Sequence, residues 1–175
     1  MSGPYGPYRQ SERLRLYQTH IDELLASGKA YRCFCSTKKL EEYAKAAENS
    51  GASSYPGTCR DISPEESGER AGNGDDFVVR FRSHETPLVV EDIVFHRFRK
   101  KLPEEDFIIM KSDGWPTYHF ANVVDDKHMH ITHVIRGSVS ASHPRQGLKL
   151  TLVSGMASID AETPRPLSCF WLGAS

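Results

Sequence analysis

The sequence has no long hydrophobic run and no excess of charge of either sign. No stretch of about 18 consecutive apolar residues occurs, which excludes a transmembrane helix. The N-terminal residues also lack the apolar segment of a secretory signal, so we expect a soluble intracellular protein without a membrane partner. The formal net charge is only −1, so no overall basic field would draw the chain onto nucleic acid.

Cysteine is scarce as well. The chain has four cysteines in 175 residues, and three of them form a local pattern while Cys169 stands apart, which argues against a disulfide framework. Hydrophobic residues make up 38% of the sequence, enough for a buried core. The length and composition therefore predict one or two small domains.

The first half of the chain shows two helical patterns around a short strand. Residues 9–27 have apolar side chains at three- and four-residue spacing, which predicts an amphipathic helix ended by Gly28. Residues 30–35 are short and aromatic, as in a strand, and Ser36 is placed to cap a second helix. Residues 50–76 are polar and without periodicity, which predicts a mobile loop.

The second half alternates strand-like runs with one helical segment. Residues 77–82, 88–95 and 106–111 are β-type runs, which predict a small mixed or antiparallel sheet. Helical spacing over 118–127 is followed by a strand that ends at 137. A strand, a helix and a strand in this order are typical of an α/β layer.

Three cysteines and a tyrosine form the strongest chemical pattern: Cys33, Cys35, Tyr55 and Cys59. Three converging thiolates suit tetrahedral zinc, whose bonds to sulfur measure about 2.3 Å, and a phenolate, an imidazole or water would complete the site. The spacing differs from the common paired C-x-x-C arrangement, and free cysteines are often simply buried in a core. Both interpretations remain open from the residues alone.

Histidines and paired aspartates crowd the segment after residue 118: His119, Asp125, Asp126, His128, His130 and His133. In an extended segment, His128 and His130 would face away from His133, which does not favour one metal site. Adjacent helical residues point about 100 degrees apart, so the two aspartates do not grip one ion. We interpret the histidines as surface and hydrogen-bonded residues, and the two aspartates as exposed acidic residues between a helix and a strand.

A phenol, a carboxamide and a guanidinium form a more promising set. Tyr118 and Asn122 are four residues apart and share one helix face, and Arg136 ends the following strand beside a glycine. Arginine grips a carboxylate through two parallel hydrogen bonds, so the set suits an amino acid or another small carboxylate.

Five motifs, taken in order, look like the bacterial and organellar type of glutamyl-tRNA synthetase, a class I aminoacyl-tRNA synthetase: "PYGPYRQSERL", "SGKAYRCFC", "YPGTCR", "VVRFR" and "KSDGWPTYHFANVVDD…ITHVIRG". The likeness covers residues 3–137, and the last motif is highly specific. The segment after Gly137 does not resemble the family.

The resemblance implies an α/β fold, namely part of a Rossmann-type class I synthetase catalytic domain with an inserted α+β acceptor-stem-binding subdomain. Residues 1–30 would end the first Rossmann half, and 31–116 would form the inserted subdomain. Residues 117–137 would return to the Rossmann sheet. Residues 138–175 would be a poorly ordered tail outside the family pattern.

The resemblance also implies ATP-dependent attachment of glutamate to tRNA, with ATP and magnesium as cofactors. Tyr118, Asn122 and Arg136 would bind glutamate, while Cys33, Cys35, Tyr55 and Cys59 would hold a structural zinc as in some members. The partner would be the acceptor stem of tRNA. The family's HIGH-like and KMSKR-like signatures for ATP are not in the sequence, so we expect an internal fragment that is inactive alone. The compartment would be the mitochondrion in a eukaryote and otherwise the cytoplasm.

Three other interpretations are kept. A non-catalytic, zinc-stabilised module that binds the tRNA acceptor stem would use the basic residues 96–101, which are otherwise a solvated turn. A truncated gene model would explain the loss of likeness after Gly137. A protein resembling glutamyl-queuosine tRNA synthetase shares motifs of the "YPGTCR" kind.

Overall fold

The computed structural model describes the backbone of residues 3–50, 54–83, 89–92, 96–99, 105–131, 133–137 and 168–172 and the side chains within 3–48, 54–83 and 105–131. The chain divides into two compact units. The sheet unit consists of Leu14–Ser83 and Glu104–Thr117, and the second unit consists of the rest of the chain. In these described ranges, no helix has the length and apolar character needed to cross a membrane.

The sheet unit begins with helix α1, which spans Leu14–Ala26. Its apolar stripe is buried at three positions: Tyr17, Ile21 and Leu24. Gly28 has a φ of +68°, the left-handed conformation in which helices commonly end. The helix predicted over 9–27 is thus correct from Leu14 onward, and Gln10–Glu12 instead form a short 3-10 helix in the second unit.

Three strands form an antiparallel sheet in the sheet unit: β1 (Ala30–Cys33), β2 (Val78–Phe81) and β5 (Ile108–Met110), in the order β1-β2-β5. Ala30 pairs with Phe81, and Val79 pairs with Met110. These pairings confirm the strands predicted near residues 30, 78 and 108. The buried side chains of Val79, Phe81 and Ile109 supply part of the core.

Two helices, α2 (Thr37–Ser50) and α3 (Pro64–Gly72), complete the sheet unit. The prediction of a mobile loop over 50–76 is wrong for α3. The loop was predicted from composition, whereas this helix is stabilised by local interactions at its N-terminus. The Ser63 side chain accepts a hydrogen bond from the N–H of Glu66, and Pro64 takes the first helical position. Acidic residues in its first turn and Arg70 in its last turn favour the helix dipole.

The second unit contains helix α4, which spans Tyr118–His128 and confirms the helix predicted over 118–127. Its apolar side is buried at four positions: Phe120, Ala121, Val123 and Val124. Strand β6 (His133–Gly137) follows α4, as the sequence pattern predicted. The helix and strand therefore present residues 118 and 136 within one unit.

Strand β6 lies at the edge of a four-stranded sheet with β3 (Val89–Asp92), β4 (His96–Arg99) and β7 (Ser168–Leu172), in the order β4-β3-β7-β6. Strand β7 runs parallel to β3 and β6, whereas β3 and β4 are antiparallel. We predicted that the run 88–95 lies in the same sheet as β2 and β5, but its strand β3 belongs to the four-stranded sheet. The basic segment 96–101, for which we considered a solvated turn, begins with β4.

The C-terminal segment also differs in part from expectation. We expected residues 138–175 to form a poorly ordered tail, yet Ser168–Leu172 pair along β6 from His133 to Gly137. Aromatic and β-branched residues favour such pairing, and this strand contains Phe170 and Trp171. Residues 138–167 and 173–175 lie outside the described part of the chain.

A buried ion pair joins distant parts of the second unit. The Nε of Arg13 donates to Oδ1 of Asp125 at 2.7 Å, and their side chains are 4% and 12% exposed. Arg13 also donates through Nη1 to the backbone oxygens of Tyr5 and Pro7, at 3.2 and 2.8 Å. Asp125 is therefore a buried anchor, and the prediction of an exposed surface carboxylate is wrong.

Replacing Arg13 should test the strength of this anchor. The substitution Arg13→Met leaves Asp125 buried without its cation, so we expect a loss of about 3–5 kcal/mol in the free energy of unfolding. Urea denaturation measures the loss. The matched control is Arg9→Met, because Arg9 pairs with Glu12 at 4.0 Å on an exposed surface. Equal stability of the two variants would contradict the assignment.

Candidate functional site

Tyr118 and Asn122 lie on one face of α4, as their spacing predicted. Tyr118 is 68% exposed, whereas the residues on the opposite side of the helix are buried. Asn122 is half-buried. Arg136 lies on β6 in the same unit, and its side chain is outside the described residues. The helix therefore presents a phenol and a carboxamide where a ligand can reach them.

A chain of hydrogen bonds fixes the carboxamide of Asn122. Its Oδ1 accepts from Nε2 of Gln10 at 3.2 Å. The same Gln10 nitrogen donates to Oδ2 of Asp125 at 3.1 Å, while Oδ1 of Asp125 accepts from Arg13. Since the Asn122 oxygen is engaged, its NH2 group is the donor that Asn122 can offer to a ligand. Sequence reasoning missed Gln10, because its partners are more than a hundred residues away in the chain.

The second aspartate of the pair has a different environment. Burial, and then the neighbouring charge of Asp125, raise the pKa of the Asp126 carboxyl group above its usual value. Both oxygens of the Asp125 carboxylate accept hydrogen bonds, one from Arg13 and one from Gln10.

The histidines do not gather into a cluster in the described ranges. His119 contacts the Tyr118 ring edge-on, with ring centroids 5.7 Å apart. His130 has a φ of +55°, and its ring lies 5.2 Å from that of Tyr5. His128 ends α4, and the side chain of His133 lies outside the described residues.

The three cysteines of the sheet unit come together, as the zinc interpretation of the sequence requires. The Sγ atoms of Cys33, Cys35 and Cys59 all lie within 4.8 Å of one another, and those of Cys35 and Cys59 are 3.6 Å apart. A tetrahedral zinc ion with bonds of about 2.3 Å separates its sulfur ligands by about 3.8 Å. The sulfur positions therefore fit a zinc ion.

Tyr55 completes this cluster from the buried side. Its hydroxyl accepts the backbone N–H of Cys59 at 3.2 Å. Although burial alone would raise the pKa of the Cys33 thiol, hydrogen bonds from Tyr55 and from Arg80 contribute to lowering it. Burial, followed by the hydrogen bond with Cys59, raises the pKa of Cys35 to about 12. A metal must therefore displace a proton from Cys35 to bind it.

A buried arginine supports the cluster. The guanidinium carbon of Arg80 lies 3.7 Å from the centroid of the Tyr55 ring, a close cation-π contact. Its Nη1 donates to the backbone oxygen of Asp106 at 2.8 Å. The Asp106 carboxylate in turn accepts the hydroxyl of Tyr31 at 2.7 Å and the N–H of Ser83 at 2.8 Å. Sequence reasoning missed Arg80, although it is a charged residue within a strongly apolar run, and Asp106, which directly precedes another such run.

The chain resembles known proteins over most of its length. The family described as tRNA synthetases class I (E and Q), catalytic domain, matches residues 1–148, beyond Gly137 where the motifs end. A glutamate–tRNA ligase of Heliobacterium modesticaldum is 46% identical over 150 residues, which is 83% of this chain and 30% of that relative. One from a Sulfurihydrogenibium species is 44% identical, over 82% of this chain and 31% of the relative.

The solved structures that resemble the fold of this chain include members of the same family as these relatives. A glutamate-tRNA synthetase from Elizabethkingia anophelis superposes with a TM-score of 0.77 at 30% identity, over 98% of this chain and 35% of that one. A glutamate tRNA ligase from Elizabethkingia meningosepticum, solved in complex with its amino acid, gives 0.78 at 30% identity over the same shares. The present chain thus spans about a third of these proteins.

The family match covers most of the sequence, and the relatives and solved structures agree with it in both sequence and fold. The chain belongs to the class I tRNA synthetases for glutamate and glutamine, and it corresponds to part of their catalytic domain.

Proposed function

We propose that the chain binds glutamate and that the whole protein is a glutamate–tRNA ligase. The observation that carries the proposal is the face of α4, where exposed Tyr118 and the anchored carboxamide of Asn122 stand in the same unit as the strand of Arg136. Relatives bearing the name glutamate–tRNA ligase support it.

The side chains divide the recognition of glutamate between them. The Asn122 NH2 group and the Tyr118 hydroxyl donate to a carboxylate, and Arg136 supplies a positive charge in a planar fork. Glutamate carries two carboxylates and one ammonium group, so several donors and one cation match its excess negative charge. These residues bind and orient the amino acid.

We assign the chemical steps to the whole protein. An α-carboxylate oxygen of the bound glutamate attacks the α-phosphorus of ATP, which forms glutamyl-adenylate and releases pyrophosphate. The terminal ribose hydroxyl of tRNA then displaces AMP and forms the ester. The sequence contains neither nucleotide signature of the family, so we assign no residue here to ATP or magnesium.

The sheet unit is proposed to contain the inserted subdomain that contacts the tRNA acceptor stem. Its compact boundary between Thr117 and Tyr118 supports the end that the family pattern gives to the insertion. Helix α1 belongs to the same compact unit, which argues for a start nearer Leu14 than residue 31. The relatives are bacterial, which supports action in a bacterial cell or in an organelle.

Zinc is proposed to join two segments of the sheet unit. Cys33, Cys35 and Cys59 would supply three thiolates, with Tyr55 as the fourth group. Three thiolates and Zn²⁺ carry a net charge of −1. The buried guanidinium of Arg80, which lies over the Tyr55 ring, would balance this charge. A structural zinc stabilises a fold without taking part in chemistry.

A non-catalytic module that binds only tRNA is the second candidate. Its support is the compact sheet unit, which has its own core and the cysteine cluster. Such a module would not bind free glutamate, so glutamate titration separates the two functions.

Glutamate binding is tested by calorimetric titration of the purified chain. Asn122→Ala removes a donor to a charged carboxylate, so we expect the dissociation constant to rise roughly 10- to 100-fold. Tyr118→Phe, which removes only a hydroxyl group, should raise it about 3- to 10-fold. The control is Asn73→Ala, at an exposed helix end in the sheet unit. Equal affinity of the Asn122 and Asn73 variants would refute the site.

Zinc binding is tested by cobalt spectroscopy and chelator competition. We expect the chain to bind a single ion, and Cys35→Ser or Cys59→Ser to abolish tight binding. Cys169→Ser is the control, because this residue lies on β7 in the other unit. Affinity should fall as the pH is lowered, about tenfold per unit for each displaced proton, since protons compete for the sulfur atoms. Identical binding by all three variants would contradict the assignment.

Pyrophosphate exchange tests whether the chain alone activates glutamate with ATP. We expect the purified chain to catalyse no detectable exchange between ATP and pyrophosphate with glutamate present, because both nucleotide signatures are outside its sequence. Exchange measured above a heat-treated control would show that the chain holds its own ATP site.

A further inference from the structure

Asp125 accepts hydrogen bonds from two side chains through separate oxygens. Oδ1 accepts from Arg13 at 2.7 Å, and Oδ2 accepts from Gln10 at 3.1 Å. The contact with Arg13 is a buried ion pair, in which the guanidinium donates and the carboxylate accepts. A carboxylate accepts hydrogen bonds and donates none. Gln10 must therefore turn its NH2 group, and not its carbonyl oxygen, toward Asp125.

The orientation of Gln10 then decides that of Asn122. The Gln10 NH2 group has two hydrogens, and its nitrogen lies within hydrogen-bond distance of Asp125 and of Oδ1 of Asn122. A donor facing Asn122 selects the oxygen end of its carboxamide. The NH2 end is left for a ligand. Had Gln10 presented an acceptor, the carboxamide would have turned over, and its oxygen would repel a carboxylate.

Two backbone carbonyl groups hold Arg13 at the other end of this series of hydrogen bonds. Arg13 donates to the carbonyl oxygens of Tyr5 and Pro7, so a shift of its side chain would break these two hydrogen bonds. Arg13 is itself the residue that ends the short 3-10 helix on which Gln10 lies. Gln10 and Arg13 are thereby held in fixed positions relative to α4.

We propose that Arg13, Asp125 and Gln10 form a polarity relay that sets the carboxamide of Asn122 with its NH2 group toward the carboxylate of the amino acid. Gln10 is a positioning residue that does not itself touch the substrate. The inference rests on the proposed function for the ligand, while the orientation of Asn122 can be measured without one. An amide at residue 10 thus adds to the selection of an anionic ligand.

Glutamate titration followed by NMR is the first measurement. Gln10→Ala removes the donor that holds the Asn122 oxygen, so the dissociation constant should rise about 3- to 10-fold. Gln10→Glu replaces the donor with an acceptor, which draws the Asn122 NH2 group away from the ligand, so its affinity should fall further. The matched controls are Gln18→Ala and Gln18→Glu. The Gln18 amide also donates to an aspartate, at 3.3 Å, but on the exposed side of α1.

The second measurement is the ¹H–¹⁵N nuclear Overhauser effect of the Asn122 side-chain amide in the ligand-free chain. This signal is assigned by its loss in Asn122→Asp. It should drop in Gln10→Ala, because the carboxamide is then free to rotate, and stay unchanged in Gln18→Ala. Thermal melting of each variant separates this effect from a general loss of stability.

The outcomes separate the two ideas. If the wild-type chain binds no glutamate, the proposed function fails, and the Overhauser effect alone decides the relay. If glutamate binds but both Gln10 variants match their Gln18 controls in affinity and in the Overhauser effect, the relay is overturned. A Gln10→Glu variant that binds as tightly as Gln10→Ala would also overturn it, since the polarity of residue 10 would then have no effect.

Discussion

The ion pair between Arg13 and Asp125 is the constraint on which the described second unit depends. It joins residues 112 positions apart in the chain, with both side chains nearly inaccessible to water. Burying two charges has a large desolvation cost, which further hydrogen bonds offset in part, although Nη2 of Arg13 is buried and makes no hydrogen bond within the described residues. Arg13 has backbone carbonyls for this purpose, and Asp125 has Gln10. The pair thus fixes the N-terminal segment and α4 together.

Helix α4 shows how one element serves three purposes. One side buries apolar residues such as Phe120 and Val124, another carries the buried charge of Asp125, and a third exposes Tyr118. The exposed Tyr118 ring contributes little burial energy to the fold and is accessible to the amino acid that we propose binds here. The buried sides of α4 hold the helix in place beneath it.

Sequence reasoning succeeded where the signal was local. The periodicity of α4, the cap at Ser36 and the β-type run at 77–82 depend on neighbouring residues, and all are seen in the structure. Helix α3 was missed although its signal is also local, because its composition masked a cap, a proline and a favourable charge order. Apolar content alone was therefore a poor guide to order at residues 64–72.

The candidate site residues divide in the same way. Tyr118 and Asn122 could be found from a four-residue spacing, and Cys33, Cys35 and Cys59 from their chemistry. The partners that orient them could not. Asp125 looked like one of two surface aspartates because no local pattern reveals an arginine 112 residues earlier in the chain. Long-range pairing is decided by the topology of the fold, which a single sequence displays only weakly.

The cysteine cluster illustrates what a metal would add to such a fold. Cys33 belongs to a strand whose backbone is held by the sheet, whereas Cys59 lies in a turn closed by the bond from Arg60 N–H to the Gly57 oxygen. Gly57 has a φ of +80°, a conformation that other residues adopt only with strain, so the shape of this turn favours a glycine at position 57. Bonds from one ion to both sulfurs would tie this turn to the strand. The metal would thus stabilise the position of the turn, while the sheet owes its stability to its own hydrogen bonds and core.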